Sequence, residues 1–500
     1  MRIRLILLGI FLKCCLISCA NILVLEGLPS PSHHVLFRVV NEALAARGHN
    51  VTSISADIEK NPVENLTYHH LDRVYEKLHA GLDVNLIEVG KTNPWITVGL
   101  LTNFVLATLD GVQISSGYQA LLAYPDDFKF DLVIYDHIAT PFLLAFLHKF
   151  KNPPLIVLTG YNAIGTTSVV LGSPFHPEFS PHHTRQETKN NFLNRVQNYL
   201  LYWGEHAIRR YIGIPYIERK LSKDFPGLPS LSDLEEQTRL ALINYHPVFD
   251  PSEPMLPGLI GVAGLQIKDP KPLPKDLLEV VDKSPFVFFS LGTNVHSDML
   301  GQESIENIVK DTLPVDLPPN LVVRSWFPQS DLLAHPNVKL FISHCGLLST
   351  HEATWRGVPI LGVPIFLDQF MNSINNVKSG MGLEYDIRTV TKETFKAAIL
   401  EVATNPKYKN NAMIRSELFR DQQEKPLDRA LWWIEYILRY PDNDILRPDN
   451  VKTNIFQKHS VDIVVFLFAV LLLTMYLNWK IALFLFRKIR SRQQRKNKSD

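Results

Sequence analysis

The sequence predicts an α/β protein of two parallel, doubly wound halves facing a cleft, followed by one membrane-spanning helix. Three observations carry this expectation. Five hundred residues exceed one ordinary domain and suit two. A strand–loop–helix–strand pattern opens the chain and recurs in both halves. A long apolar run stands near the end, with a basic segment behind it.

The elements follow in order. Met1-Arg2-Ile3-Arg4, an apolar run from Leu5 to Ile17 broken by Lys13, and then Ser18-Cys19-Ala20 read as a secretory signal at 1–20. Cleavage after Ala20 removes Cys14, Cys15 and Cys19 and leaves Cys345, so neither an internal disulfide nor a cysteine zinc cluster is expected. Asn21–Leu25 is a strand, Gly27–Ser32 a Gly/Pro/Ser loop, and a helical pattern runs from about His33 to Ala46. Gly48 stops that helix, and Val51–Ser55 resumes as strand. The pattern recurs at Asp131–Tyr135, a helix from about Thr140, and Leu155–Leu158, then at Phe286–Phe289 and Leu340–Ile342. Dense prolines mark a linker at 247–274 between a first domain, 21–246, and a second, 275–445, with a return helix.

Residues 461–480 are apolar enough to span a bilayer, with Trp479 at the interface and Lys480 able to snorkel. The basic tail, 481–500, puts that end in the cytosol and the body in the lumen. Lys496 and Lys498 have the spacing of a dilysine retrieval signal, which points to the endoplasmic reticulum. Lys+Arg 51 against Asp+Glu 50 leaves no general pull toward nucleic acid. Asn50-Val-Thr52 and Asn65-Leu-Thr67 are glycosylation sequons; Asn65 lies in polar surroundings, whereas Asn50 leads into a strand.

One constellation carries chemistry. Trp326-Phe-Pro-Gln329 precedes the strand Lys339–Ile342, which runs into Ser343-His344-Cys345-Gly346 and a helix bearing Ser349, His351 and Glu352; Asp368-Gln369 lie on a later loop. A helix N-terminus favours an anion, so a diphosphate fits at the Ser-His-x-Gly turn, with His344 and Ser349 as added donors. Glu352 suits a ribose diol, Trp326 a nucleobase face, Gln329 the base edge or its seating, and Asp368 and Gln369 sugar hydroxyls. Each residue alone has a bland reading as core or solvated surface.

In this order and spacing the set resembles the nucleotide-sugar signature of the animal UDP-glycosyltransferase family, glycosyltransferase family 1, in its invertebrate-like branch. Phe286–Ser290-Leu-Gly292-Thr293 resembles the family's strand-and-glycine turn, which implies donor contacts from Ser290, Gly292 and Thr293. Ser32-His33, Arg38 and Arg47-Gly48-His49 match the spacing of its catalytic-histidine loop and select His33 over His34; Asp136 matches its carboxylate partner. The resemblance implies the GT-B architecture of two Rossmann-like halves, and no metal or other cofactor beyond the UDP-sugar co-substrate. It also implies a small lipophilic acceptor, conjugated as in detoxification, a membrane setting, and homo- or hetero-association left open. His33 would take the acceptor hydroxyl's proton, Asp136 would hold its tautomer, and attack opposite UDP would invert the anomeric centre. Glucuronosyl members carry an arginine in the linker where this chain has Glu253, so UDP-glucose is expected over UDP-glucuronate.

The sequence departs from the family at one place. A further apolar strand is missing near 314–320, where Pro314-Val-Asp-Leu-Pro318-Pro319 stands, and Leu321–Arg324 is the remaining strand candidate before Trp326. Loss of an interior strand would leave orphaned backbone groups on both neighbours, each costing about 1–3 kcal/mol. A catalytically silent binding or dimer-modulating subunit is therefore the alternative to an active transferase. A UDP-sugar epimerase is disfavoured by the signal, the anchor and His33.

Overall fold

The computed structural model describes residues 19–496 except 82–91, 139–140, 163–164, 174–175, 179, 185–190, 251, 294–319, 325, 387–390, 449–452, 454 and 459. The signal segment 1–18, Lys498 and the proline-rich step at 314–319 lie outside the described residues.

The first sheet holds β1 (Asn21–Glu26), β2 (Asn50–Ser55), β3 (Leu66–His70), β4 (Leu132–Asp136), β5 (Leu155–Leu158), β6 (Thr238–Ile243) and β7 (Leu259–Gly261). The order is β3-β2-β1-β4-β5-β6-β7, and every neighbouring pair is parallel. The interior positions of its central strands, Ile22–Leu25, Leu132–Tyr135 and Leu155–Leu158, are apolar because both faces are covered. Leu23, Leu25, Val133 and Tyr135 enter one core; Ile22, Val24, Leu132 and Ile134 enter the other. Helix α1 (Pro31–Ala46) closes the second face through Leu36, Phe37, Val40 and Leu44. On the other face lie α2 (Pro94–Gln113) and, farther along, α3 (Phe192–Ile208).

The second sheet has β8 (Phe286–Ser290), β9 (Val338–Ser343), β10 (Ile360–Gly362) and β11 (Gly382–Glu384) in the parallel order β11-β10-β9-β8. The helices around it include α4 (Leu347–Trp355), α5 (Gln369–Lys378) and α6 (Pro406–Arg420). Helix α7 (Pro426–Arg439) returns to the first domain, where Ala430, Leu431, Ile434 and Ile437 join the core beneath α1. Arg415 Nη2 of α6 donates to Val248 O at 2.8 Å, and Asn375 Nδ2 of α5 donates to Phe249 O at 2.9 Å. The two halves are thus locked through the linker as well as by the returning helix.

Several expectations are adjusted. The segment 247–274 contains β7, which pairs with β6, so three residues of the linker form the last strand of the first sheet. The helix expected from about Thr140 is a 3-10 turn at Pro141–Leu144 followed by the short helix Ala145–Lys149. Leu321–Arg324 forms no strand. Among the described residues the second sheet has no gap, because β8 pairs directly with β9 from Phe286↔Val338 to Ser290↔Ser343. Any opening there lies at the outer edge of β8, where Val287 and Phe289 are exposed, and not between two interior strands. The expected orphaning of two neighbours therefore reduces to one edge.

Helix α8 (Val461–Lys496) runs past residue 480, so Arg487, Lys488 and Arg490 extend the helix itself. Within Val461–Ser491, an 18-residue window has a mean hydropathy of 2.3 and is 0% buried within the protein. An uncovered apolar stretch of about 20 residues is enough to cross a bilayer's hydrocarbon core, and the rest of the helix extends beyond it.

Candidate active site

Order reverses in the first sheet between β1 and β4, and the crevice at such a switch point is where open α/β sheets bind ligands. His33 stands in the first turn of α1, just after β1, and Asp136 is the last residue of β4. Their meeting follows from strand adjacency: Leu25 is in register with Tyr135, so both chains leave the sheet side by side. His33 Nδ1 lies 3.1 Å from Asp136 Oδ2, with the carboxylate fully buried and 8% of the imidazole side chain exposed. Burial disfavours the imidazolium, but the charge and hydrogen bond of Asp136, helped by Glu26 and Asp368, outweigh it and raise the His33 pKa above its ordinary 6.5.

His34, the neighbouring candidate, points elsewhere. Its Nδ1 meets Glu26 Oε1 at 3.1 Å beneath α1, and burial pushes Glu26 up to about 7. Gly160, two residues beyond β5, lies against the His33 ring, and Tyr161 packs on it with ring centroids 5.5 Å apart. Asp368 of the second domain senses the His33 charge, and its own burial raises it to about 6. The cleft between the halves therefore closes around the dyad.

Across the cleft, the turn after β9 is held by a chain of hydrogen bonds. Cys345 has φ 63, and its N–H donates to Ser343 Oγ at 3.1 Å. Asn372 Nδ2 donates to Cys345 O at 3.0 Å and to Asp368 Oδ2 at 2.8 Å, which ties the Asp368 loop to that turn. Gly346 precedes α4, whose start has no side-chain cap, so its first-turn N–H groups are left for a ligand. His344 is wedged between Gly292 and Gly346; burial lowers it to about 4, so it is a neutral donor at physiological pH. The Gly292 N–H donates to Ser290 Oγ at 3.3 Å, shaping the turn that ends at Thr293.

Gln329, Ser349 and Glu352 converge. Gln329 Nε2 donates to Glu352 Oε2 at 2.7 Å and to Ser349 Oγ at 3.1 Å. Burial raises Glu352 to about 7, against the lowering effect of Gln329. Trp326 is 68% exposed, an open aromatic face three residues before Gln329. Gln369 differs from the expectation of a free sugar binder: its Oε1 accepts the N–H of Ile365 at 2.9 Å and of Phe366 at 3.2 Å, so only its amide nitrogen is left to donate outward. His351 belongs to the core, 4.3 Å from Phe249 between ring centroids.

The chain matches, over residues 22–496, the family model described as "UDP-glucoronosyl and UDP-glucosyl transferase". The chain belongs to the UDP-glycosyltransferase family. It is 30% identical to UDP-glucosyltransferase 2 of Dactylopius coccus over 501 residues, 93% of either chain. It is 29% identical to UDP-glucuronosyltransferase 2C1 of Oryctolagus cuniculus over 494 residues, 91% of this chain and 97% of that one. Among solved structures, the calicheamicin glycosyltransferase CalG4 aligns with TM-score 0.55 at 17% identity, over 85% of this chain and 100% of that one. A UDP-glucosyltransferase of Polygonum tinctorium aligns with TM-score 0.56 at 15% identity, over 84% and 99%. At these identities the structural likeness establishes the GT-B fold of this UDP-glycosyltransferase, and the family match establishes that it is a glycosyltransferase using a UDP-sugar.

Sequence reasoning missed three residues of the glycosyltransferase cleft: Gly160, Tyr161 and Asn372. Thr159-Gly160 directly after the strand Leu155–Leu158 was the available signal for the first two, since a glycine there allows close approach. Asn372 carries no motif; only the helical turn from Asp368 brings it to Cys345. Of the sequons, Asn65 is exposed with φ 64, and Asn50 is exposed as well, with its amide donating to Asn21 Oδ1 at 3.1 Å. Glu253 is engaged with the first domain, accepting from Ser180 Oγ at 3.0 Å.

Proposed function

We propose that this UDP-glycosyltransferase moves a hexosyl group, glucose in preference to glucuronate, onto a hydroxyl of a small lipophilic acceptor with inversion, as a conjugating enzyme. The observation that carries the reading is the buried His33–Asp136 pair at the switch point, facing Asp368 across the cleft. His33 removes the acceptor's proton; Asp136 keeps the imidazole in one tautomer and stabilises the imidazolium. On the far side, the uncapped start of α4 and neutral His344 receive the diphosphate charge as it develops on the leaving group. Ser290, Gly292 and Thr293 line the donor's side of the turn, Trp326 stacks the base, Gln329 seats Glu352, and Glu352 holds the ribose with Ser349 nearby. Asp368 and the Gln369 amide meet sugar hydroxyls. No metal or other cofactor is assigned to this chemistry.

The preference for glucose rests on Glu253, whose negative charge at the linker disfavours a sugar carboxylate. Helix α8 anchors the protein in the endoplasmic reticulum membrane with the body lumenal, where Asn65 and Asn50 accept glycans. The test is transfer from radiolabelled UDP-glucose to a panel of planar phenols in microsomes holding the chain or His33→Ala. Loss of transfer in the variant supports the reading, and unchanged transfer removes His33 from its role. Saturable UDP binding without turnover by the unaltered chain would favour the silent-subunit alternative. Preference for UDP-glucuronate in direct competition would overturn the donor assignment.

A further inference from the structure

Outside the sugar-transfer cleft, two adjacent histidines converge on one carboxylate. His182 Nε2 lies 3.0 Å from one oxygen of Glu205, and His183 Nε2 lies 3.4 Å from the other. The three ligand atoms fall within 4.8 Å of one another. A tetrahedral zinc ion with bonds of about 2.0–2.1 Å holds its ligand atoms roughly 3.3 Å apart, so the two His–Glu separations are already near that spacing and the wider separation must close by up to about 1.5 Å to admit one.

The arrangement is built and not incidental. Glu205 sits on α3, and the histidines sit on the loop that precedes it. Asn198, two turns earlier on α3, pins that loop independently. It accepts the His182 N–H at 2.7 Å and donates to Pro177 O at 2.8 Å and Ser180 O at 3.0 Å. His182 is fully buried, and Tyr202 packs edge-on against its ring at 5.0 Å. Thr184 Oγ1 lies 2.8 Å from His182 Nδ1, the second-ring-nitrogen partner that fixes a metal-bound imidazole. Arg209 lies near Glu205, but its guanidinium donates to Glu235 Oε2 at 2.8 Å, so its charge is already paired. The His183 and Glu205 side chains are 19% and 21% exposed, which gives an ion a path in and leaves a coordination position for water.

We propose that His182, His183 and Glu205 bind one divalent ion of the zinc class, as a structural staple apart from sugar transfer. Two imidazoles and a carboxylate suit zinc, and no thiolate is required. Binding converts the Nε2–H donors into lone-pair donors, moving the His182 proton to Nδ1, where Thr184 Oγ1 accepts it and the Thr184 N–H that donates to Nδ1 at 3.4 Å gives way, and releasing the His183 Nε2 proton or shifting it to Nδ1. The ion fastens the Ser180–Thr184 loop to α3. Because Ser180 donates to Glu253, it also braces the linker that joins the two domains.

The test uses the full chain in detergent, stripped with a chelator and titrated with zinc chloride alone, then with cobalt. The expected result is one equivalent of zinc bound at sub-micromolar Kd, a rise in Tm, and the intense visible absorption of tetrahedral cobalt. Loss of one ligand in His183→Gln should weaken zinc by at least about 100-fold, leaving circular dichroism and the metal-free Tm unchanged. Glu205→Gln should weaken it similarly; if that variant fails to fold, the partly exposed His183→Gln carries the test. No uptake at micromolar zinc, or undiminished affinity in His183→Gln, overturns the proposal.

Discussion

A methyl group at Gly160 would stand 3.3 Å from Cε1 and 3.4 Å from Nε2 of His33, closer than a carbon normally rests against an imidazole. The ring holds its place between this glycine and Asp136, so Gly160→Ala should tilt it away from the acceptor. Misplacement of a catalytic group by about 1 Å can cost roughly 100-fold in rate. The expected outcome is a loss of that order in kcat/KM for the acceptor, with UDP affinity by calorimetry unchanged.

The pH profile should report His33. As a base it must be unprotonated, so kcat/KM falls as pH drops through its pKa, which Asp136 holds above 6.5 despite burial. Asp136→Asn removes that charge, and burial then dominates. The acidic limb should move to lower pH while the plateau falls roughly 10²- to 10⁴-fold. A limb that stays in place would dissociate Asp136 from the base.

Glu352 links stability to donor binding. Its folded-state pKa is about 7 against an ordinary 4.5, so between these values the folded chain holds a proton the unfolded chain has lost. That contribution is present at low pH and fades as pH rises from about 4.5 through about 7. Glu352→Gln should flatten this part of the Tm–pH curve and yet weaken UDP about 10-fold or more, the cost of losing a charged hydrogen-bond acceptor. Thermal melts across pH and UDP titrations check the two arms.

Gly292 meets two constraints at once. Its φ is +79, and an added Cβ would fall 2.6 Å from His344 Cε1. Gly292→Ala should destabilise the second domain by about 1–3 kcal/mol and raise the KM for UDP-sugar more than it lowers kcat. A variant with ordinary donor KM would separate this turn from the donor site.

Removal of α8 by truncation before Val461 should free the body from membranes. The helix is 0% buried within the protein, so its loss exposes no core. Alkaline carbonate should extract the truncated chain and leave the full chain in the pellet. Retention of the truncated chain would point to a second membrane contact in the body.

Strand and helix positions in the first half were legible because buried parallel strands are continuous apolar runs, as in Leu132–Tyr135, and glycines such as Gly48 punctuate them. The donor signature was legible because its members, from Gln329 to Glu352, lie close together in the chain. The Gln329–Glu352 bond was not, since two polar residues 23 apart give no sign of which atoms will pair. The role of Gln369 as a loop brace was also hidden, because its acceptors' partners are backbone N–H groups that any residue could supply.

The sequence by itself determined the α/β class, the long apolar helix near the end and the family, all of which depend on local pattern or on motifs of fixed spacing. The pairing of His33 with Asp136 was implied only through the family resemblance; tertiary structure supplied its geometry across 103 positions and turned His34 to Glu26. It also decided that β7 joins the first sheet, that α7 returns to its core, and that β8 lies directly against β9. The physical reason is that adjacency in a parallel sheet is set by crossover packing and shared burial across long sequence separations, which no local stretch encodes.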